Sequence, residues 1–217
     1  MGAEDTVLLS TSYFGPVQYF SKFILYPFRY IEQFDHYAKQ TYRNRCVIAG
    51  ANGSLVLSIP VRKGANHKTP VKEVRIDYSR DWRKLHWKGL ESSYRQSPFF
   101  EYYMEDLHTL LQKSHLFLLD LNLEILDYML AALDISGTYT LTSEYGKPGS
   151  LSCVDNRENI HPKADAGLDP YFRAEPYAQV FGERSGFLKN LSIVDLLFNE
   201  GPGARTILEK CVRSLSG

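Results

Sequence analysis

The feature that most restricts the fold of this chain is a hairpin signal. Arg45-Cys46-Val47-Ile48 and residues 54–61 flank Gly50-Ala51-Asn52-Gly53. Asn-Gly between two β-rich runs joins antiparallel strands, because only residues tolerant of positive φ turn the backbone that tightly. An all-helical fold is therefore excluded, and the neighbouring segments are read as partners for a β-layer. Residues 6–13 (TVLLSTSY) read as a short buried strand, broken by Gly15-Pro16 ahead of a helix over residues 17–25. Tyr26-Pro27 ends that helix, and residues 28–34 and 71–78 (VKEVRIDY) are two further strand candidates.

Helical spacing takes over after Asp81, a cap for a helix over residues 82–95 with Trp82, Leu85, His86, Gly89, Leu90 and Ser93 on one face. Residues 99–113 and 115–133 follow as two more helices, with Ser114 as a cap between them, and residues 137–143 read as a late strand. From residue 144 to 176 the pattern dissolves into Gly, Pro, Asp, Asn and Lys, which predicts one mobile loop, either a ligand-covering lid or an insert. Ser192-x-x-Asp195 reads as a capping box opening a helix over 193–199; Gly201-Pro202-Gly203 closes it, and residues 204–215 form a last helix. The expected architecture is α/β: a single domain over residues 1–217 with a strand-rich N-terminal half, the hairpin at 45–61, and a helical C-terminal half.

Charge excludes some functions. The 217 residues carry 25 basic and 25 acidic side chains, so no bulk charge holds this protein to nucleic acid or anionic lipid. Residues 1–97 carry 15 Lys and Arg against 8 Asp and Glu, and the remainder 10 against 17. That split suits either a local site for an anionic ligand or mutual attraction of the two halves. Cys46, Cys153 and Cys211 are widely spaced and form no C-x-x-C pair, so a disulfide framework or zinc knuckle is not offered. No apolar run has membrane-span length, and Met1 is followed by Gly2, Ala3, Glu4 and Asp5 rather than a basic leader, so a cytoplasmic protein is expected.

Two clusters can carry chemistry. In Tyr42-Arg43-Asn44-Arg45 the arginines share a side if the segment is extended, and guanidinium forks suit phosphate or carboxylate; solvated edge arginines are the alternative. Trp82 and His86 lie one helical turn apart, which places an imidazole where it can act as a general base or serve as a structural helix residue. The other histidines are scattered, so no metal site is expected. P-loop, dinucleotide and nucleophile-elbow motifs are absent, and Cys46 opens an apolar strand as a core cysteine does.

The order of Tyr13-x-x-x-x-x-Tyr19-Phe20, Tyr42-Arg43-Asn44-Arg45, Leu57-Ser58-Ile59-Pro60-Val61, Trp82-x-x-x-His86 and Ser93-Tyr94-x-x-x-Pro98-Phe99-Phe100 resembles the WbqC-like proteins. The run from Asn190 through Ser192 to Asn199 looks like that family's C-terminal signature. The resemblance implies a bacterial protein of surface-polysaccharide or O-antigen biosynthesis, a transferase moving an acyl or aminoacyl group onto a nucleotide-linked amino sugar; a non-catalytic binder of a sugar nucleotide or pathway enzyme is the alternative. It does not specify a cofactor or an oligomeric state. His86 is implied as the catalytic base, and Tyr13, Tyr19, Tyr42, Arg43, Asn44, Arg45, Trp82, Asn190 and Ser192 as substrate contacts. Members commonly open with Gln-Pro-x-Tyr-x-Pro-Trp, whereas this chain has Ser10-Thr11-Ser12-Tyr13-Phe14-Gly15-Pro16, so a contact made there is altered.

Overall fold

A parallel sheet organises the molecule, as seen in a computed structural model that describes residues 5–62, 68–148 and 152–213. The first strand, β1 (Thr6–Ser10), has Val7, Leu8 and Leu9 buried on both of its faces, the near-continuous apolar run that a central parallel strand requires. It crosses over through α1 (Val17–Leu25) to β2 (Phe28–Glu32), which pairs in parallel register from Thr6 opposite Phe28 to Ser10 opposite Glu32. The hairpin stands apart as a two-stranded sheet of β3 (Arg45–Gly50) and β4 (Gly53–Ser58). Its left-handed position falls on Gly53 (φ 107°), where the lack of Cβ removes the steric cost.

Three long helices follow: α2 (Trp82–Tyr94), α3 (Phe100–Gln112) and α4 (Leu118–Ala132). The helical half then returns two short strands to the sheet. β5 (Thr140–Leu141) pairs with β2 and β6 (Val154–Asp155) pairs with β1, both in parallel, giving the order β5-β2-β1-β6. The chain closes with α5 (Gly182–Ser185), α6 (Ile193–Glu200) and α7 (Ala204–Cys211). One apolar cluster runs from Val7 to Cys211 through sheet, hairpin and helices, so the chain is one α/β domain.

Several local expectations are corrected. Residues 71–78 are not a strand: Val71–Glu73 is a 3-10 turn, and only the isolated pairings of Ile76 with Val61 and Arg75 with Phe117 are sheet-like. Val71, Val74 and Ile76 are all buried, and a three-residue step between the first two needs a turn rather than a pleat. The helix expected from residue 115 starts at Leu118 with extended Phe117 at its N-cap, because backbone bonds on either side of Phe117, from Ile76 to Leu116 and from Leu118 to Val74, hold that segment against its neighbour. Ser114 accepts instead from the Arg83 guanidinium. Ser192 does cap α6, but its own N–H donates to the Val47 carbonyl, so Asp195 does not close a capping box.

Within the segment from 144 to 176, β6 and a 3-10 turn (Ala166–Leu168) are regular, and its ties reach across the fold. The Asn156 N–H donates to Leu8, Arg173 to Cys211, and the buried Lys22 ammonium sits 2.5 Å from Asp169. Parts of the basic loop between residues 62 and 70, of the 144–176 segment, and the expected helix end at residues 214 and 215 lie outside the described residues. Among those described, no helix is long and apolar enough to cross a membrane.

Candidate functional site

The strand order reverses at β1. From β1 the chain steps outward to β2 and β5, then returns to the opposite side with β6. At such a switch the loops beyond the carboxyl ends diverge, and a crevice opens between them. Here it is lined by Ser10 at the end of β1 and Thr11 and Ser12 beyond it, by Asn156, Arg157 and Ile160 beyond β6, by Tyr19 of α1, and by Thr41, Tyr42 and Arg43. Its free volume is about 10 Å³, room for one water-sized group.

Ion pairs frame this crevice. Arg157 grips Asp155 through Nε (2.9 Å) and a terminal nitrogen (2.6 Å), and reaches the fully buried Glu32 at 3.3 Å. Glu32 also accepts from the Thr142 hydroxyl and from the Gly146 and Phe34 amides. Buried Arg43 pairs with Asp35 and, at 3.3 Å, with exposed Glu158. Four lining residues nevertheless keep a buried polar atom without a hydrogen-bond partner: Thr11 Oγ1, Tyr19 OH, Arg43 Nε and Asn156 Nδ2. Buried donors are nearly always satisfied by protein, water or ligand, so their gathering in one crevice marks a place for a water or one polar group of a ligand.

Tyr42 is also a wall of a second, larger cavity. This groove of about 900 Å³ is lined by Asp165, Asp169, Arg173, Lys189, Asn190 and Arg213 among others, and its size is that of a small-molecule site. Asn190 (φ 54°) turns its side chain to α1: Oδ1 accepts from the Gln18 N–H, and Nδ2 meets Gln18 Oε1. Gln18 Nε2 in turn donates to Asp169, the partner of Lys22. Burial pulls the Lys22 pKa down against the opposing effect of that carboxylate.

The remaining sequence-derived candidates, Arg45 apart, lie in the core. His86 Nε2 faces the Ser58 carbonyl at 3.2 Å and so carries the proton; Nδ1 then accepts from the Tyr13 hydroxyl at 2.8 Å. Burial lowers the His86 pKa to about 4, which keeps the ring neutral. Trp82 packs edge-on against it, ring centres 5.0 Å apart. Neither His86 nor Trp82 lines either cavity. Asn44 Nδ2 donates to Ile59 across the hairpin base, and the Ser192 hydroxyl donates to the Phe14 carbonyl at 2.7 Å. Arg45 is half-buried, with its Nε unpartnered. Cys46 is fully buried, and burial raises its thiol pKa far above the ordinary value.

Sequence reasoning brought Tyr19, Tyr42 and Arg43 into the crevice and Asn190 to the groove, but missed Thr11, Asn156, Arg157 and Asp169. Only Thr11 had a signal, as the polar end of an apolar strand. Asp195 was also missed as more than a cap: fully buried, it accepts from Tyr94 (2.8 Å), Tyr177 (2.6 Å) and Gln179 (2.9 Å), and burial raises its pKa. Among the described residues no group of three or more His, Cys, Asp or Glu side chains is placed to hold a metal.

Comparison with known proteins agrees with the motif order. The chain is 27% identical over 223 residues to the uncharacterized protein Rv1507c of Mycobacterium tuberculosis (strain ATCC 25618 / H37Rv), a match covering 92% of each chain. No solved structure matches it. A family model described as the WbqC-like protein family matches residues 11–168, which include both faces of the crevice and the Trp82–His86 pair, while Asn190 and Ser192 fall beyond it. The chain belongs to the WbqC-like protein family.

Proposed function

We propose that this protein binds a nucleotide-linked amino sugar, with the nucleotide in the groove and the sugar end directed past Tyr42 to the crevice, in the service of acyl or aminoacyl transfer during surface-polysaccharide assembly. The observation that supports this reading is the junction of a groove of about 900 Å³ with a crevice of unpartnered polar atoms at one shared residue, Tyr42. Arg173, Lys189 and Arg213 place cationic donors on the groove wall beside Asp165 and Glu175, and Asp169 there is balanced by Lys22. Residues of the 144–176 segment wall both cavities and so cover the ligand. A cytoplasmic location accompanies this reading, as does the absence of a nucleic-acid partner.

In the transferase form of this function, the sugar amine attacks the acyl carbonyl of an activated donor, the new N–C bond replaces the donor's C–S or C–O bond, and the amine proton leaves with the departing thiol or hydroxyl. A non-catalytic binding role is favoured by one specific observation: His86, the base that the family resemblance implies, has both ring nitrogens engaged inside the protein. Calorimetry with nucleotide sugars, followed by a turnover assay with acyl donors, separates these forms. Binding that Tyr42→Ala weakens is expected. Binding with donor consumption supports transfer, binding without it supports the carrier role, and no binding of any nucleotide sugar refutes both.

A further inference from the structure

The unpartnered atoms of the crevice are all able to donate, and two of them can do nothing else. Arg43 Nε–H and Asn156 Nδ2 are donors only, while Thr11 and Tyr19 offer hydroxyls. The amide orientation of Asn156 is set by Asn159, whose Nδ2 lies 3.3 Å from Asn156 Oδ1, so Nδ2 faces the unpartnered side. Thr11, Tyr19, Arg43 and Asn156 are each at most 5% exposed. A guest at this position must therefore present acceptor oxygens.

Charge decides what kind of oxygen. Both crevice guanidiniums are already matched: Arg157 by Asp155 and Glu32, Arg43 by Asp35 and Glu158. An arriving phosphate would meet carboxylates on every arginine and bring an uncompensated charge into a buried place, a combination that desolvation opposes strongly. A free volume of about 10 Å³ also admits a single oxygen-sized group rather than a tetrahedral anion. We infer that the crevice beyond β1 and β6 is a subsite for a neutral oxygen, the hydroxyl or carboxamide carbonyl of a sugar, and that it excludes the diphosphate. This rests on the nucleotide-sugar reading for its ligand and reverses the role that sequence gave Arg43: the arginine positions Nε for a neutral acceptor instead of neutralising phosphate.

The test uses the full chain and follows ligand titrations by NMR and calorimetry with free N-acetylglucosamine, inorganic pyrophosphate and UDP-N-acetylglucosamine. N-acetylglucosamine is expected to bind, Thr11→Val and Asn156→Ala to weaken it about five- to tenfold, and pyrophosphate affinity to stay unchanged in both variants. Thr11→Val is nearly isosteric and guards against a folding defect, which a urea midpoint checks. Pyrophosphate that binds wild type but is lost in either variant would place the anion in the crevice and overturn the inference. So would N-acetylglucosamine that fails to bind, or that binds the variants as well as wild type, the result expected if the crevice holds only water. UDP-N-acetylglucosamine separates the two levels: its binding unchanged in both variants removes the subsite and leaves the nucleotide-sugar reading standing, whereas pyrophosphate and nucleotide sugar both failing to bind removes that reading.

Discussion

Replacing His86 by Gln tests whether this imidazole is a closed structural group or a proton acceptor in contact with solvent and substrate. In the folded protein burial holds its pKa at about 4, against an ordinary value of 6.5. A depressed folded pKa means that stability is fully present above the unfolded value and is lost as pH falls toward the folded one, because the unfolded chain takes up a proton that the folded chain refuses. Integrated from about pH 7.5 to about pH 5, this proton costs the wild type about 2 kcal/mol, with a slope approaching 1.4 kcal/mol per pH unit. Gln does not titrate. It keeps a donor for the Ser58 carbonyl but strands the Tyr13 hydroxyl, which costs about 1–3 kcal/mol at neutral pH. Urea unfolding of both proteins across that pH range gives the difference directly, and carboxylates titrating in both chains cancel in it. The stability gap should close by about 2 kcal/mol on acidification. A gap that stays constant with pH would mean that His86 titrates as an exposed histidine does, and the argument for a closed, neutral ring would fail.

Other substitutions probe the scaffold of the cavities. Tyr94→Phe removes a hydroxyl that donates to Asp195 and accepts from the Ala49 N–H, and should cost about 2–3 kcal/mol in urea unfolding with little change in the far-ultraviolet spectrum. Gly201→Ala forces a side chain onto a φ of 52° and brings its Cβ to 2.4 Å from the Phe99 ring, so a loss above about 2 kcal/mol and a poorly formed α6 are expected. Asp169→Asn leaves Lys22 buried without its counter-charge and should cost about 3–5 kcal/mol, which Lys22→Met in the same chain partly restores. Additive losses in that double variant would show that the pair does not interact.

Long, periodic or punctuated elements were legible in the sequence. α1, α2 and α3 fall within about one residue of their expected ranges and the hairpin within about three, because Asn-Gly, Pro16, Asp81 and Pro98 mark them chemically. β5 and β6 have two residues each, and a period cannot be read from two positions. With β6 invisible, the switch point beside β1 was invisible too, and with it Asn156 and Arg157. Residues 71–78 misled for a related reason: three inward apolar side chains imitate alternation whether the backbone is pleated or turned. The acid in Ser192-x-x-Asp195 reads as a cap from sequence alone, since nothing local announces that Tyr94 and Tyr177 will meet it.

The distribution of the family-like residues acquires a physical meaning from what they bind. Tyr13 donates its N–H to Tyr42, Val17 to Leu191, Ile193 to Gly15 and Ser192 to Val47, so segments far apart in sequence are tied at the β1–α1 turn. Phe14, in the middle of that turn, is fully buried with φ of 40°, a conformation costly for a bulky residue and one that persists only where the surroundings over-determine it. These backbone ties form a clamp that fixes Thr11 and Tyr42 beside β6. The unequal charge of the two halves serves the same end. Lys22 and Arg43 from the basic half meet Asp169 and Glu158 from the acidic half, and Glu32 receives Arg157 in the reverse sense. These pairs draw the 144–176 segment onto α1 and the sheet, forming the crevice while using up the charge that an anionic guest would need. The formal neutrality of the chain is in this way reproduced locally, in a crevice that offers hydrogen-bond donors without free positive charge.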